Sequence, residues 1–522
     1  MKVYSGKILT VNARDEVAGY LVEDGGRIVF VGDELPEVYR GAERVELGER
    51  ALIPAFCDTH QHFASFSSFN AGLNVMECRS NAEILERLRD FAARCDDSVL
   101  ITFGASPYSV TERRLVSREE LDSVCPDKPV FMVKYDGHAC VVNTALLRLV
   151  DKKVKALRGY HPDTGEMNQE AFFAVSDYIT GSIKLPKLIR NMQQAADYEA
   201  GRGIGMVHTV SGIGFPKDLD VSLETWFAKG VQGGFQLRVF AQSLDPKAAL
   251  SRGLPRIGGC FRCALDGCFG SHDAALNEPY LDAEGGRGVL YYSDEQVVDF
   301  CKKANRAGLQ IEMHAIGDRA FDQAARALKA ALDDCPRSDH RHGIIHACLT
   351  TPEGMDICEK YHIQLPMQIA FDDWRQEPPA YVERILGVAR SGRLNPVKSF
   401  MERGCVVSFG SDGPCTDPDP IVWLHKAVNH SNPAEAVTIR QALRMATWNG
   451  YWTTFDEKER GSLEPGKIAD MVVLSGDPCE TPADKLIDLR VEKTILGGKE
   501  YRPQSGGPVG TVLKGMLSKR KA

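Results

Sequence analysis

Residues 52–62 read Leu52-Ile53-Pro54-Ala55-Phe56-Cys57-Asp58-Thr59-His60-Gln61-His62, an apolar run followed by two histidines. The apolar run predicts a buried strand. Because the side chains of a strand alternate between its two faces, His60 and His62 project from the same face. Two imidazoles on one face can bind a divalent cation. Taken alone, the motif leaves open a pair of hydrogen-bonded surface histidines.

The same kind of run recurs along the middle of the chain, where apolar segments of four to six residues alternate with amphipathic helical stretches. Buried strands that alternate with helices indicate βα units and a parallel sheet. At this length, the pattern predicts an α/β fold closed into a (β/α)8 TIM-like barrel. The runs are Pro129–Val133, Gly205–Val210, Leu309–His314, Gly343–His346 and Val406–Gly410.

Both ends of the chain have another character. Short β-like segments are separated there by glycines and acidic residues, as hairpins require. We therefore predict a small β-sandwich domain whose first part is residues 1–54 and whose second part, with a tail, is residues 456–522; the barrel occupies residues 55–455. The segments are Lys7–Val11, Gly19–Val22, Gly26–Gly32, Ala469–Leu474 and Val491–Gly498.

Composition bounds the function. The chain has 522 residues, 43% of them hydrophobic, and a net charge of −8, which is ordinary for a globular protein and argues against a nucleic-acid partner. We find no signal peptide and no apolar stretch long enough to span a membrane. The fifteen cysteines are scattered and favour a cytoplasmic location. Cys260-x-x-Cys263, with Cys268 nearby, is only weak evidence for a zinc or redox pair.

Three further polar residues follow apolar runs, namely His314, His346 and Asp412. One histidine in such a place is more often a satisfied core residue, and Ser411-Asp412-Gly413 is also ordinary turn chemistry. Catalytic groups of α/β barrels sit at the carboxyl ends of strands, so the set together indicates a metal site there. A carboxylate at the last strand can bind metal and accept a proton from water.

In chain order, the His-x-His motif, the two histidines and the aspartate resemble the amidohydrolase superfamily. More narrowly, the chain is similar to the YtcJ-like and N-substituted formamide deformylase-like hydrolases of amidohydrolase family 3. The resemblance covers nearly the whole chain. It includes Asp136-Gly137-His138, Asp266-Gly267, His314–Ala320, Gly410–Pro414 and Gly461–Asp470.

The resemblance implies a barrel that holds one or two divalent metals, usually zinc, and that hydrolyses an amide or formamide C–N bond of a small molecule with metal-activated water. The implied metal ligands are His60, His62, His314, His346 and Asp412. Asp412 would also be the general base and would return the proton to the leaving nitrogen. His346 is a second catalytic candidate, which orients substrate or water if it does not bind metal.

One departure from the family pattern bears on the number of metals. Many relatives place a lysine, which can be carboxylated to bridge two metals, four residues before the Asp-Gly; here that position is Arg262, which cannot form a carbamate. A single-metal site is the simplest consequence. Lys134 is an alternative bridging ligand.

Two other functions stay open: a single-metal deaminase of an amidine-like or cyclic substrate, although no His-x-x-Glu motif follows at His314, and a non-catalytic paralogue.

Substrate contacts are predicted at His138, Arg319 and Gln368, with a structural turn or a local ion pair as the alternative for the first two. Arginine suits bidentate binding of a substrate carboxylate. We expect a small-molecule substrate and neither a nucleic acid nor a membrane as partner. A homodimer is compatible with the sequence, because closed symmetric dimers are common.

Overall fold

The computed structural model describes residues 1–212, 218–503 and 507–522. Within these ranges, no helix combines the length and apolar character needed to cross a membrane. The strands are β1 (Lys2–Leu9), β2 (Val17–Asp24), β3 (Arg27–Gly32), β4 (Glu43–Pro54), β5 (Phe56–Gln61), β6 (Leu73–Asn74), β7 (Leu100–Ala105), β8 (Val130–Lys134), β9 (Ala139–Val142), β10 (Tyr160–His161), β11 (Glu166–Asn168), β12 (Ile204–Ser211), β13 (Gln236–Ala241), β14 (Arg256–Gly259), β15 (Gln310–Ala315), β16 (Gly343–His346), β17 (Leu365–Met367), β18 (Val407–Phe409), β19 (Met471–Leu474), β20 (Val491–Leu496) and β21 (Lys499–Glu500).

The α-helices follow the strands in alternation through the middle of the chain. They are α1 (Phe63–Asn70), α2 (Asn81–Arg94), α3 (Arg118–Val124), α4 (Thr144–Val154), α5 (Gln169–Ser182), α6 (Leu185–Gly201), α7 (Leu219–Gly230), α8 (Lys247–Leu250), α9 (Asp294–Arg306), α10 (Asp318–Asp334), α11 (Pro352–Tyr361), α12 (Pro379–Leu386), α13 (Val388–Ser391), α14 (Val397–Glu402), α15 (Pro420–Val428), α16 (Ile439–Ala446), α17 (Trp448–Thr453) and α18 (Pro508–Leu517).

Strands from both ends of the chain form one seven-stranded sheet in the order β21-β20-β19-β4-β1-β2-β3. Strand β4 pairs in parallel with β1 and antiparallel with β19, so the first and last parts of the chain meet at this strand. Tyr4, Leu21, Ile28 and Met471 are buried together between these strands. Segments from both ends of the chain therefore lie in one sheet.

The middle of the chain forms a nearly closed parallel barrel. Six strands lie in the order β16-β15-β14-β13-β12-β5, and β17 and β18 form a separate parallel pair. Single parallel bridges connect this pair to both ends of the six-stranded sheet, at Gly343 with Gln364 and at Gln61 with Gly413. All six residues of β5, β13 and β15 are buried, as expected for strands covered on both faces.

A second six-stranded sheet is inserted between the first barrel strand, β5, and the next, β12. Its order is β10-β11-β9-β8-β7-β6, and β8 contains the run Val130–Val133. The prediction that this run is a strand of the barrel is wrong. Strand β8 pairs with β7 and β9 and with no barrel strand among the described residues.

Two glycines shape the fourth barrel strand, β14. Gly258 and Gly259 have φ values of 109° and 122°, a region that side chains rarely adopt. A Cβ atom on Gly258 would lie 1.9 Å from the carbonyl oxygen of Glu312, and one on Gly259 would lie 2.6 Å from Val210 Cγ1. The close approach of backbones at these glycines places the next residue, Cys260, at the carboxyl end of the barrel.

Candidate metal centre

The first part of the centre joins the first and last barrel strands. His60 is the last residue but one of β5, His62 follows that strand, and Asp412 follows β18. Asp412 Oδ1 lies 3.1 Å from His60 Nε2 and 3.3 Å from His62 Nε2. All three residues are buried. The backbone of Asp412 is left-handed, with a φ of 55°, a conformation that non-glycine residues adopt mainly where the surroundings hold them.

The second part lies beside it and includes the histidines of β15 and β16. Cys260 Sγ is 3.3 Å from His314 Nδ1 and 3.6 Å from His346 Nε2. The same sulfur is 3.2 Å from His60 Nε2. Two groups of mutually close ligand atoms result, one of His60, His62, Cys260 and Asp412, the other of Cys260, His314 and His346.

The residues fit a divalent cation. Asp412 Oδ1 is buried and has no hydrogen-bond partner among the described residues. Such orphaned atoms are rare in folded proteins. A buried carboxylate oxygen that faces two imidazole nitrogens at hydrogen-bond distance, without a hydrogen bond of good geometry, is what a cation between them would explain. Nitrogen, sulfur and carboxylate donors are the set that zinc prefers.

Burial and contacts within the cluster shift the pKa values of His60, His346 and Asp412 below their ordinary values. Burial lowers the pKa of His60 and lowers that of His346 further below its ordinary value, so both imidazoles favour the neutral form that binds metal. Burial opposes ionisation of Asp412, yet its contacts with His60 and His62 hold the pKa of this carboxyl well below its usual range. A carboxylate beside neutral imidazoles is ready for a cation.

Two aspartates behind the ligands fix their orientation. Asp266 lies 3.4 Å from His314 Nε2 and accepts hydrogen bonds from the backbone N–H groups of Ile316 and Gly317, which leaves Nδ1 of His314 facing the cluster. Asp58 accepts hydrogen bonds from the Ser411 hydroxyl and backbone N–H, at 2.5 Å and 2.9 Å, and so links the first and last strands beside Asp412. Such contacts set the tautomer and the angle of a ligand.

Arg262 does not stand where the sequence analysis placed it. It lies in the turn Phe261–Cys263, and its guanidinium, half exposed, donates to Asp218 at 2.6 Å. Cys260 is the residue after β14 whose side chain reaches the cluster. Arg262 therefore gives no reason to expect a single metal.

Lys134, the predicted alternative bridging ligand, is paired elsewhere. Its Nζ atom donates to Asp136 Oδ2 at 2.7 Å and to Gly270 O at 3.4 Å. Although burial opposes it, Asp136 raises the pKa of Lys134 above its ordinary value. A carbamate forms only on a neutral amine, so this environment favours an ammonium ion.

A cavity of about 1270 Å³ opens above the cluster and is bounded by both the barrel and the inserted sheet. His62, His314, His346 and Asp412 line its floor, and Tyr108, Phe261, Phe371 and Trp374 supply aromatic wall. The volume accommodates a small molecule of considerable size.

Of the three residues predicted to contact the substrate, His138 lies in the lining of the cavity. Its ring is 5.9 Å from that of Phe261. Arg319 is exposed and Gln368 is buried, with its amide donating to Pro366 O at 3.4 Å. Neither belongs to the lining among the described residues. Substrate contact by these two therefore stays a prediction, because a position near a strand end does not fix the direction of a side chain.

Sequence reasoning missed Cys260. The sequence does place a potential ligand directly after the strand Arg256–Gly259. His60, His314 and His346 likewise lie at or near the carboxyl ends of their strands. The Cys260-x-x-Cys263 spacing drew attention to a paired site instead. Cys263 and Cys268 belong to neither group of ligand atoms among the described residues.

Comparisons with known proteins place this geometry. A family model described as "Amidohydrolase family" matches residues 43–501. The putative amidohydrolase YtcJ of Bacillus subtilis (strain 168) is 25% identical over 93% of the chain and 96% of its own length. The N-substituted formamide deformylase of Arthrobacter pascens is 25% identical, with 95% and 97% covered. An uncharacterized metal-dependent hydrolase from Pyrococcus furiosus has a similar fold, with a TM-score of 0.73 at 23% identity over 92% of this chain and 100% of that one.

Proposed function

Since the chain belongs to the amidohydrolase family, we propose that it is a metal-dependent hydrolase that cleaves an amide or formamide C–N bond of a small molecule with water. The observation that carries the proposal is the meeting of Asp412 with His60 and His62, at 3.1 Å and 3.3 Å, on the floor of a large cavity. The relative named N-substituted formamide deformylase, aligned over nearly its whole length, supports the bond type.

The metal ligands we propose are His60, His62, His314, His346 and Asp412. Zinc is the proposed ion because nitrogen donors dominate the cluster. A divalent cation in such a site lowers the pKa of water and polarises a carbonyl oxygen.

Asp412 is the proposed general base. Its carboxylate faces both the cavity and the imidazoles of His60 and His62, so it can accept a proton from the attacking water at Oδ1 or Oδ2. The same carboxyl group then returns the proton to the leaving nitrogen. If His346 does not bind metal, we propose that it orients the substrate or the attacking water.

The inserted sheet supplies the substrate side of the cavity. His138, half-buried at the end of the turn after β8, and the Lys134–Asp136 pair line this wall. We propose that His138 contacts the substrate and that the aromatic wall binds its apolar part. A small-molecule substrate fits the volume of the cavity, about 1270 Å³.

We do not propose the deaminase alternative. The relative named 5-methylthioadenosine/S-adenosylhomocysteine deaminase matches over 121 residues, 20% of the chain. Residues Ala315, Ile316 and Gly317 after His314 include no glutamate, and Cys260 creates a second group of ligand atoms beside the first.

The architecture we propose is a closed (β/α)8 barrel with a terminal β-sandwich. The bridges at both ends of the β17–β18 pair support closure, and the buried face shared by Tyr4, Leu21 and Met471 supports the sandwich. The fifteen cysteines are all free, which supports the proposed cytoplasmic location.

Metal analysis joined to a substrate screen tests the function. Purified full chain is expected to contain zinc and to release a carboxylate, not ammonia, from members of a panel of N-formyl and N-acyl amines. Dialysis against EDTA is expected to abolish turnover and added zinc to restore it, while dialysis against zinc-saturated EDTA, the control, leaves turnover unchanged. A metal-free chain, or turnover that survives EDTA, would contradict the proposal.

A further inference from the structure

The sulfur of Cys260 has more neighbours than a thiol can satisfy. Imidazole nitrogens of His60, His314 and His346 lie 3.2 Å, 3.3 Å and 3.6 Å from Sγ. A thiol has one hydrogen, so it can donate to one of these nitrogens at most. Three ring nitrogens on three different strands nevertheless converge on the same buried sulfur. Hydrogen bonding alone does not account for this arrangement.

Coordination accounts for it. For zinc with bond lengths of about 2.0–2.1 Å to nitrogen and about 2.3 Å to sulfur, tetrahedral sulfur and nitrogen ligands lie roughly 3.5–3.6 Å apart, and two nitrogen or oxygen ligands lie roughly 3.3–3.4 Å apart. The sulfur–nitrogen distance to His346 matches at 3.6 Å, the distances to His60 and His314 are shorter at 3.2 Å and 3.3 Å, and the contact of Asp412 with His62 matches at 3.3 Å. Cys260 is the member shared by the two groups of ligand atoms.

We propose that Cys260 is a thiolate ligand that bridges two divalent cations, one held by His60, His62 and Asp412 and the other by His314 and His346. The inference rests on the proposed function and deepens it, since it fixes the number of metals at two. The sulfur stands on the edge common to both groups. In the second group it completes three protein ligands, Cys260, His314 and His346, which leaves a fourth tetrahedral position free for water or substrate.

The local sequence explains how a cysteine reaches this position. Gly258 and Gly259 let β14 approach Glu312 and Val210 closely, and Phe261, with a left-handed φ of 45°, places its ring 4.8 Å from that of His62. Cys260 is the residue of this segment that brings a potential ligand atom to the cluster. A thiolate is a soft ligand, so the site is expected to select zinc, cobalt or cadmium over magnesium or manganese.

Cobalt(II) binding to metal-free full-length protein tests the bridge without relying on activity. We expect two equivalents of Co²⁺ to bind and to produce a near-ultraviolet sulfur-to-cobalt charge-transfer absorption. The Cys260→Ser variant is expected to lose this absorption. The Cys263→Ser variant, three residues along the same segment, is the matched control and is expected to keep it.

Alkylation of the wild-type chain gives a second measurement that does not depend on a variant folding. Iodoacetamide labelling, mapped to peptides by mass spectrometry, is expected to modify Cys260 in metal-free protein and to lose that modification when zinc is present. Binding of cobalt without the charge-transfer absorption, binding of a single equivalent, or labelling of Cys260 that zinc leaves unchanged would overturn the bridge and leave the hydrolase proposal standing. If no cobalt binds, the hydrolase proposal fails as well.

Discussion

Asp412 and His60 lie on the last and first barrel strands, and their side chains meet with Asp412 Oδ1 3.1 Å from His60 Nε2. The contact is buried, and the backbone bridge between Gln61 and Gly413 runs beside it. The contacts that join the first and last strands of the nearly closed barrel therefore also bring together residues of the candidate metal centre. A change that separates these strands is expected to weaken metal binding as well as stability.

Replacement of the proposed general base is the most direct test of the mechanism. Asp412→Asn keeps the size of the side chain but cannot accept a proton, so we expect turnover to fall by about 10²–10⁴-fold or more. Circular dichroism is expected to show an unchanged fold. Asp417→Asn is the control, because Asp417 is exposed and pairs with Arg202 outside the cavity. Wild-type turnover in Asp412→Asn would refute the assignment.

The carboxylate behind His314 is expected to control metal affinity. Asp266→Asn weakens the contact at His314 Nε2, and loss of such a supporting partner typically costs about 10–100-fold in metal affinity. Competition with a fluorescent zinc chelator measures the change. Asp282→Asn, which removes the partly exposed partner of His272, serves as the control and should leave zinc affinity unaltered. Equal affinities for the two variants would remove Asp266 from this role.

Variants of the Lys134–Asp136 pair test whether Lys134 stabilises the fold or bridges two metals. Both side chains are buried, and Lys134 together with His138 holds the pKa of Asp136 at about 2 although burial opposes it. Lys134→Met strands this charge and is expected to cost about 3–5 kcal/mol of folding free energy, measured by urea denaturation. The double variant Lys134→Met/Asp136→Asn is expected to recover most of that loss.

Metal content distinguishes the two roles of Lys134. Zinc per chain in the double variant is expected to equal that of the wild type, because Nζ of Lys134 is paired with Asp136. A double variant that folds but has lost metal would instead support carboxylated Lys134 as a ligand.

Glu224 on α7 makes stability depend on pH. Burial raises the pKa of this carboxyl from 4.5 to about 8, although Thr209, Ser211 and the backbone N–H of Ala64 donate hydrogen bonds to it. The folded state binds the proton more tightly than the unfolded state. The stabilisation from protonation is therefore complete below the unfolded value and is lost as the pH rises through about 8.

Thermal melts of Glu224→Gln check this sign. The amide imitates the protonated carboxyl, so the melting temperature of the variant relative to wild type is expected to rise between acidic and mildly alkaline pH. The exposed Glu119→Gln is the control, for which we expect no such trend. A difference that stays constant or shrinks with rising pH would show that Glu224 is ionised in the fold.

The family and the broad fold class were predictable because they depend on patterns that the chain carries locally. The resemblance to YtcJ and to formamide deformylase is confirmed, and apolar runs such as Gly343–His346 coincide with strands. His60, His314, His346 and Asp412 could be grouped because each follows a run whose carboxyl end faces the same opening.

The inserted sheet and Cys260 were not predictable in the same way. Parallel strands covered on both faces look alike in sequence, so Val130–Val133 could not be assigned to a sheet from its composition. The distance from Cys260 to His60 depends on the glycine geometry of β14 and on the tilt of neighbouring strands, which a spacing rule does not encode. Arg262 was counted along the chain, whereas its half-exposed guanidinium pairs with Asp218.

The position of β4 between β1 and β19 has a consequence for biosynthesis. Until residues 471–474 have been translated, β4 presents an unpaired edge of backbone donors and acceptors to other nascent chains. A ribosome that stalls or terminates before this point releases a polypeptide with that edge uncovered and prone to aggregate. Protection of the β4 edge thus depends on residues 471–474, which lie far along the chain from the candidate metal centre.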